Sequence, residues 1–176
     1  ILGLLVHLTS SGATARTLDE TSRLSNAVTT AVAELDQLVY EYLLHPHQRP
    51  VQQWRILSDD LQLMFNRLEA LGGHAHPVER LRSEHLQARA LFDTIITDTE
   101  AQVTAANAAM FHLRRSRLAE QMLLVSRAQV SHANAIHRAS LHEQSRIQHR
   151  DDAITIVALG ATIALLAWLL SHVHRL

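Results

Sequence analysis

The sequence predicts an all-α protein, an up-down-up-down four-helix bundle whose long first and fourth helices continue into transmembrane helices. Three observations predict it. Glycine and proline number only 5 and 3 in 176 residues, so long stretches lack helix breakers. Apolar residues recur at alternating spacings of three and four in each stretch between those breakers, the signature of one buried helical face. The stretch Ala153 to Leu170, AITIVALGATIALLAWLL, carries no charge. As a helix it would extend roughly 27 Å, close to the thickness of bilayer hydrocarbon.

The chain opens on the apolar octet Ile1–Leu8, too short to cross a bilayer. Residues 1–9 are expected to be the C-terminal remnant of a first transmembrane helix. From Ala13 to His45 there is no glycine or proline, and Leu24, Val28, Ala31, Leu35, Leu38 and Tyr42 form a heptad seam. Pro46 and Pro50 end that helix, because proline has no amide hydrogen and biases the preceding residue away from helical angles.

The second helix is expected to carry Pro50 in its first turn and to run for about twenty-two residues. Its stripe is Trp54, Leu57, Leu61, Met64 and Leu68, with Phe65 beside it, and Gly72 and Gly73 cap its end. Pro77 opens a third helix, with Val78, Leu81, His85, Ala88, Phe92, Ile95 and Thr99 in register. Thr97, Asp98, Thr99, Thr104 and Asn107 lower helix propensity, which places the next turn between about residues 100 and 112.

The last helix keeps heptad spacing through Leu118, Met122, Val125, Gln129, His132, Ile136, Ser140, Glu143 and Ile147, but turns polar after Val125. Two long helices and two short ones imply a four-helix bundle that narrows to a two-helix stalk, where water would reach those polar positions. The expected organisation is a bundle domain at residues 10–152, a second transmembrane helix at 153–170 and the start of a cytoplasmic region at 171–176. Arg175 puts that last end inside by the positive-inside tendency.

Composition excludes several chemistries. There is no cysteine, hence no disulfide, thiol nucleophile or cysteine-ligated metal. The formal net charge is -1, and no basic patch is interleaved with aromatics, so nucleic acid is not an expected partner. Thirteen histidines invite a metal. Yet the pairs His45/His47 and His74/His76 belong to opposite ends of the bundle, and His132, His137 and His142 rotate around their helix at intervals of five. No E-x-x-H, H-E-x-x-H, G-x-S-x-G or phosphate-binding glycine loop occurs. Neither a catalytic constellation nor a metal or cofactor site is expected.

Two groups invite a function. His85 stands in register with a core stripe. It is either a core histidine satisfied by a hydrogen bond or a pH-responsive residue whose burial disfavours its charge. The other group surrounds the first turn: Tyr42, Arg49, Gln53, Trp54 and Arg55. Trp54 can anchor the core while Arg49 and Gln53 cap the helix; alternatively Arg49 and Arg55 bind a carboxylate or other anion near the helix N-terminus.

The stretch around that turn, EYLLHPHQRPVQQWR, resembles the E-Y-L-x-x-P-x-x-R-x-x-x-Q-W pattern of periplasmic sensor regions in bacterial membrane-bound histidine kinases and related hybrid sensors. RRSRLAEQMLLVSRAQVSHA is similar to the start of the last bundle helix in the same proteins. The resemblance implies a homodimeric sensor module in the bacterial inner membrane, with residues 10–152 in the periplasm and the catalytic kinase domains outside this chain. It further implies an unknown small-molecule or protein stimulus and a bilayer around the terminal helices. A chemoreceptor ligand-binding domain shares this architecture. A membrane-anchored helical scaffold that binds a partner protein is the reading from a different class.

Overall fold

A computed structural model of the protein describes residues 2–72, 75–101 and 108–173, with side chains described for 13–72, 76–101, 110–150, 152–157 and 159–164. Among the described residues it contains four helices and no strand: α1 (Leu2–Leu44), α2 (Gln48–Ala70), α3 (Ala75–Glu100) and α4 (Ala108–Val173). The four helices pack against one another.

Each short connection follows from local chemistry. α1 stops where His45 N–H donates to Glu41 O at 2.9 Å and Pro46 has no hydrogen to continue the series. His47, in an extended conformation, precedes α2, and Pro50 occupies the first turn, where its missing amide hydrogen is no loss. At the end of α2, Leu71 N–H donates to Arg67 O and Gly72 N–H to Glu69 O, both at 3.1 Å. Gly72 has φ +77° and no atom within 4 Å of where a Cβ would stand. A side chain there would meet only the conformational penalty of the left-handed region. Gly72→Ala is therefore expected to lower stability by about 1 kcal/mol with no change in packing, measurable as a shifted denaturation midpoint at constant m-value.

Gly73 and His74, part of the expected second turn, lie outside the described residues. α3 ends at Glu100 and α4 begins at Ala108. Residues 102–107, inside the stretch where the third turn is expected, also lie outside them. The side chains of 1–12, of Ala158 and of 165–176 do as well, so the expected membrane segments at 1–9 and 153–170 are only partly described. Among the described residues no helix is long and apolar enough to cross a membrane.

Side-chain contacts record how the helices run. Ser22 meets His137, Asp36 meets Ser126, and Arg115 reaches the Leu43 carbonyl, so contacts ascend α1 as they descend α4. α2 and α3 show the same opposed order, with Arg82 on Asn66 and Glu69 and Arg89 on Asp59. α3 and α4 follow it too, with Glu84 on His132 and Asp98 on Arg114.

The core lies along the predicted stripes. Val28, Ala31, Leu35 and Tyr42 of α1 are buried, as are Trp54, Leu61, Phe65 and Leu68 of α2. Every position of the α3 stripe from Val78 to Ile95 is buried. Burying each large side chain contributes roughly 1.5–3 kcal/mol, far above the 0–1 kcal/mol of a surface ion pair such as Arg89–Asp59. Packing of the stripes, not the charged rim, holds the helices together.

One expectation about α4 is corrected. Its polar stretch after Val125 is not a wet stalk surface throughout: Gln129 and Ser140 are fully buried, and Ser126 is nearly so. α3 still covers α4 at this level, as the His132–Glu84 contact of 3.0 Å shows. The buried hydroxyls have partners, Ser126 donating to Asp36 at 2.5 Å and Ser140 to the His137 carbonyl at 2.8 Å. Burial holds the Asp36 carboxyl above its ordinary range, and the Ser126 hydrogen bond works in the opposite direction.

Candidate functional site

The five residues around the first turn do not form one site. Tyr42 and Trp54 point into the core, whereas Arg49, Gln53 and Arg55 are exposed on α2. Arg49 and Arg55 are six residues apart, which separates them by roughly 120° around the helix, so they do not form a convergent pair. Arg49 and Gln53, four apart, share a face.

Tyr42, Trp54 and His85 instead build an aromatic centre with Phe65 and Phe92. The Trp54 ring lies 4.6 Å from Phe92, centroid to centroid, and stacks on His85 at 6.4 Å with an interplanar angle of 12°. Phe65 meets His85 edge-on at 5.7 Å, and Tyr42 meets Phe92 edge-on at 5.8 Å. Such pairs add about 0.5–1.5 kcal/mol each beyond the area they bury. Burial raises the pKa of the Tyr42 hydroxyl, and its hydrogen bond with Thr99 opposes that. This is a packing centre with polar edges.

His85 is the titratable group at its heart, 1% exposed. Its Nε2 lies 2.8 Å from the Ser58 Oγ, while its Nδ1 has no hydrogen-bond partner. Burial lowers its pKa; Ser58 and the nearby Asp59 raise it, and Arg89 lowers it further. An imidazole packed between Trp54 and Phe65 is far easier to keep neutral than charged.

Gln53 belongs to a different feature, a groove of about 420 Å³ between the outer faces of α1 and α2. Glu34, Gln37, Leu38 and Glu41 line it from α1, and Gln53, Ile56, Leu57 and Asp60 from α2. No arginine lines it. Among the described residues Glu41, 3.9 Å from His47, is the only lining side chain in an ion pair. Its field thus favours a cation, opposite in sign to the anion that Arg49 and Arg55 suggest from the sequence.

This groove was readable only in halves. Glu34, Gln37 and Glu41 follow i, i+3, i+7 spacing, as do Gln53, Ile56 and Asp60. That spacing marks a common face on each helix, but which faces meet depends on how α1 and α2 dock. Among the described residues no group of three histidine, aspartate or glutamate side chains could hold a metal ion. No family model, no curated protein and no solved structure matches this chain.

Proposed function

We propose that this chain is the sensor and transmembrane signalling module of a two-component sensor histidine kinase. In this reading an up-down-up-down bundle detects a stimulus in the periplasm, and α1 and α4 carry the response through the inner membrane. The observation that carries it is the continuity of α4. Its 66 residues run without interruption for roughly 100 Å, from the bundle core into a stretch where Ile156, Val157, Leu159 and Ile163 are all largely exposed. A run of apolar side chains this exposed on a helix suits lipid better than water. The resemblance of EYLLHPHQRPVQQWR to kinase sensor regions supports the same reading.

The lengths also suit a relay. α2 and α3, of 23 and 26 residues, extend roughly 35–40 Å, while α1 and α4 continue past them as a pair. Where that pair emerges, several of the buried positions are small and polar, Thr21, Ser25 and Ser140 beside the apolar Ile136, with Ser22 and His137 hydrogen-bonded at 2.9 Å. Small side chains lock a helix pair less firmly than interdigitated leucines. A stimulus that binds two packings of the bundle unequally can therefore shift α4 against α1.

The test places single cysteines along residues 137–150 of the membrane-embedded protein and compares inter-protomer crosslinking in stimulus-on and stimulus-off states, defined by kinase output. A pattern that shifts with output is expected. An unchanged pattern across a full change in output would remove the relay.

A further inference from the structure

We propose that the groove between α1 and α2 binds a linear aliphatic diamine or polyamine. This names a ligand class for the sensor reading, but the binding chemistry stands on the groove alone. The groove is two-ended. Glu41 and Gln53 both lie near the α1–α2 turn, next to His47, whereas Glu34 and Asp60 both lie away from it. One end therefore offers a carboxylate and an amide oxygen, the other two carboxylates. Between them the floor is apolar, made by the half-buried Leu38 and Leu57 and by Ile56, which is 65% exposed.

Glu34 and Glu41 are seven residues apart on one helix, a separation of about 10.5 Å. Two ammonium groups joined by about seven or eight methylenes match that distance, at roughly 1.3 Å advance per bond. Each ammonium would donate to the oxygens at its own end, and the methylene chain would cover Leu38, Ile56 and Leu57. A monovalent amine satisfies one end only. A divalent metal ion finds no converging ligand set, since among the described residues none exists.

Two of the three carboxylates of the groove are also uncommitted, while Glu41 lies 3.9 Å from His47. Other carboxylates of α2 have cations of their own, Asp59 with Arg89 and Glu69 with Arg82. Among the described residues Glu34 and Asp60 have no salt-bridge partner. Both are exposed, so their replacement leaves the core intact.

The test is calorimetric titration of the whole chain in detergent micelles, at physiological ionic strength, with octane-1,8-diamine, propane-1,3-diamine, octylamine and magnesium chloride. Saturable binding of the long diamine is expected, at least about tenfold tighter than the short diamine or the monoamine, the discrimination of one lost charged contact. Glu34→Gln with Asp60→Asn should weaken it at least about tenfold while the circular dichroism spectrum stays unchanged. Equal affinities for the two diamines, competition by magnesium at equal concentration, or indifference to the double substitution would overturn the proposal. Because binding is read directly, its failure would leave the crosslinking result untouched. A static crosslinking pattern would likewise leave the ligand assignment standing.

Discussion

Trp54→Ala will destabilise the protein by about 3–5 kcal/mol, the range for deleting a large aromatic side chain from a packed core. Trp54 is 1% exposed and joins α2 to α3 through Phe92 and His85. Neither helix can collapse into the space it would vacate without losing the Phe92 and His85 contacts. Its indole Nε1 has no hydrogen-bond partner, so Trp54→Phe loses volume but no bond and should cost about half as much or less. Denaturant unfolding of the two variants measures both. Alanine at Arg49, Gln53 or Arg55, all exposed, should stay within about 0.5 kcal/mol of the parent. If Trp54→Ala left stability unchanged while abolishing a stimulus response, the tryptophan would be a ligand contact and not the core anchor described above.

Acidification will weaken the fold through His85. Its folded pKa lies below the ordinary 6.5 because burial penalises the charged ring. Below about pH 6.5 the unfolded chain therefore holds a proton that the folded chain does not, and stability falls as pH drops from there toward the lowered folded value. Above that range His85 contributes no slope. The slope for one group reaches at most about 1.4 kcal/mol per pH unit.

Other groups titrate in the same range, so the informative quantity is the difference from His85→Leu, a substitution of similar shape that removes the proton site. It strands the Ser58 hydroxyl, and an offset of about 1–3 kcal/mol at neutral pH is expected. The pH-dependence below about 6.5 should flatten. Parallel stability curves for parent and variant would show that His85 keeps the same pKa when unfolded. Asp59 and Arg89, the charged groups acting on His85, pair with each other at 3.3 Å and oppose one another's influence, which leaves burial as the dominant cause.

Signals in the sequence differ in the range over which they act. Heptad spacing, prolines and glycines act within a few residues, and they mark the helices closely. The second helix was expected at about twenty-two residues and has 23. Pro50 stands in its first turn, and Gly72 follows it at positive φ. His85 is legible as a core position because its register on α3 does not depend on any other helix.

Two features needed the docked helices. Gln129 and Ser140 have a polar composition that suggested a wet stalk, yet α1 and α3 cover their side of α4. Register on one helix cannot say how far along it a neighbour extends. The first turn carries the other lesson. Tyr42, Arg49, Gln53, Trp54 and Arg55 are close in sequence, but rotation of roughly 100° per residue sends them to the core and to different outer faces. Their proximity in the chain says little about convergence.

By itself, then, the sequence determined four helices, their punctuation and their inward stripes, because these depend on the backbone and on spacing along one chain segment. Only the tertiary structure decided that Tyr42 of the α1 stripe and Trp54 of the α2 stripe meet Phe92 of α3 in one aromatic centre, with His85 between the rings of Trp54 and Phe65. It also decided that Gln53 and Asp60 of α2 face Glu34 and Glu41 of α1 across an acidic groove. Both outcomes depend on the rotation and offset at which separate helices dock, a choice made by the fit of many side chains at once.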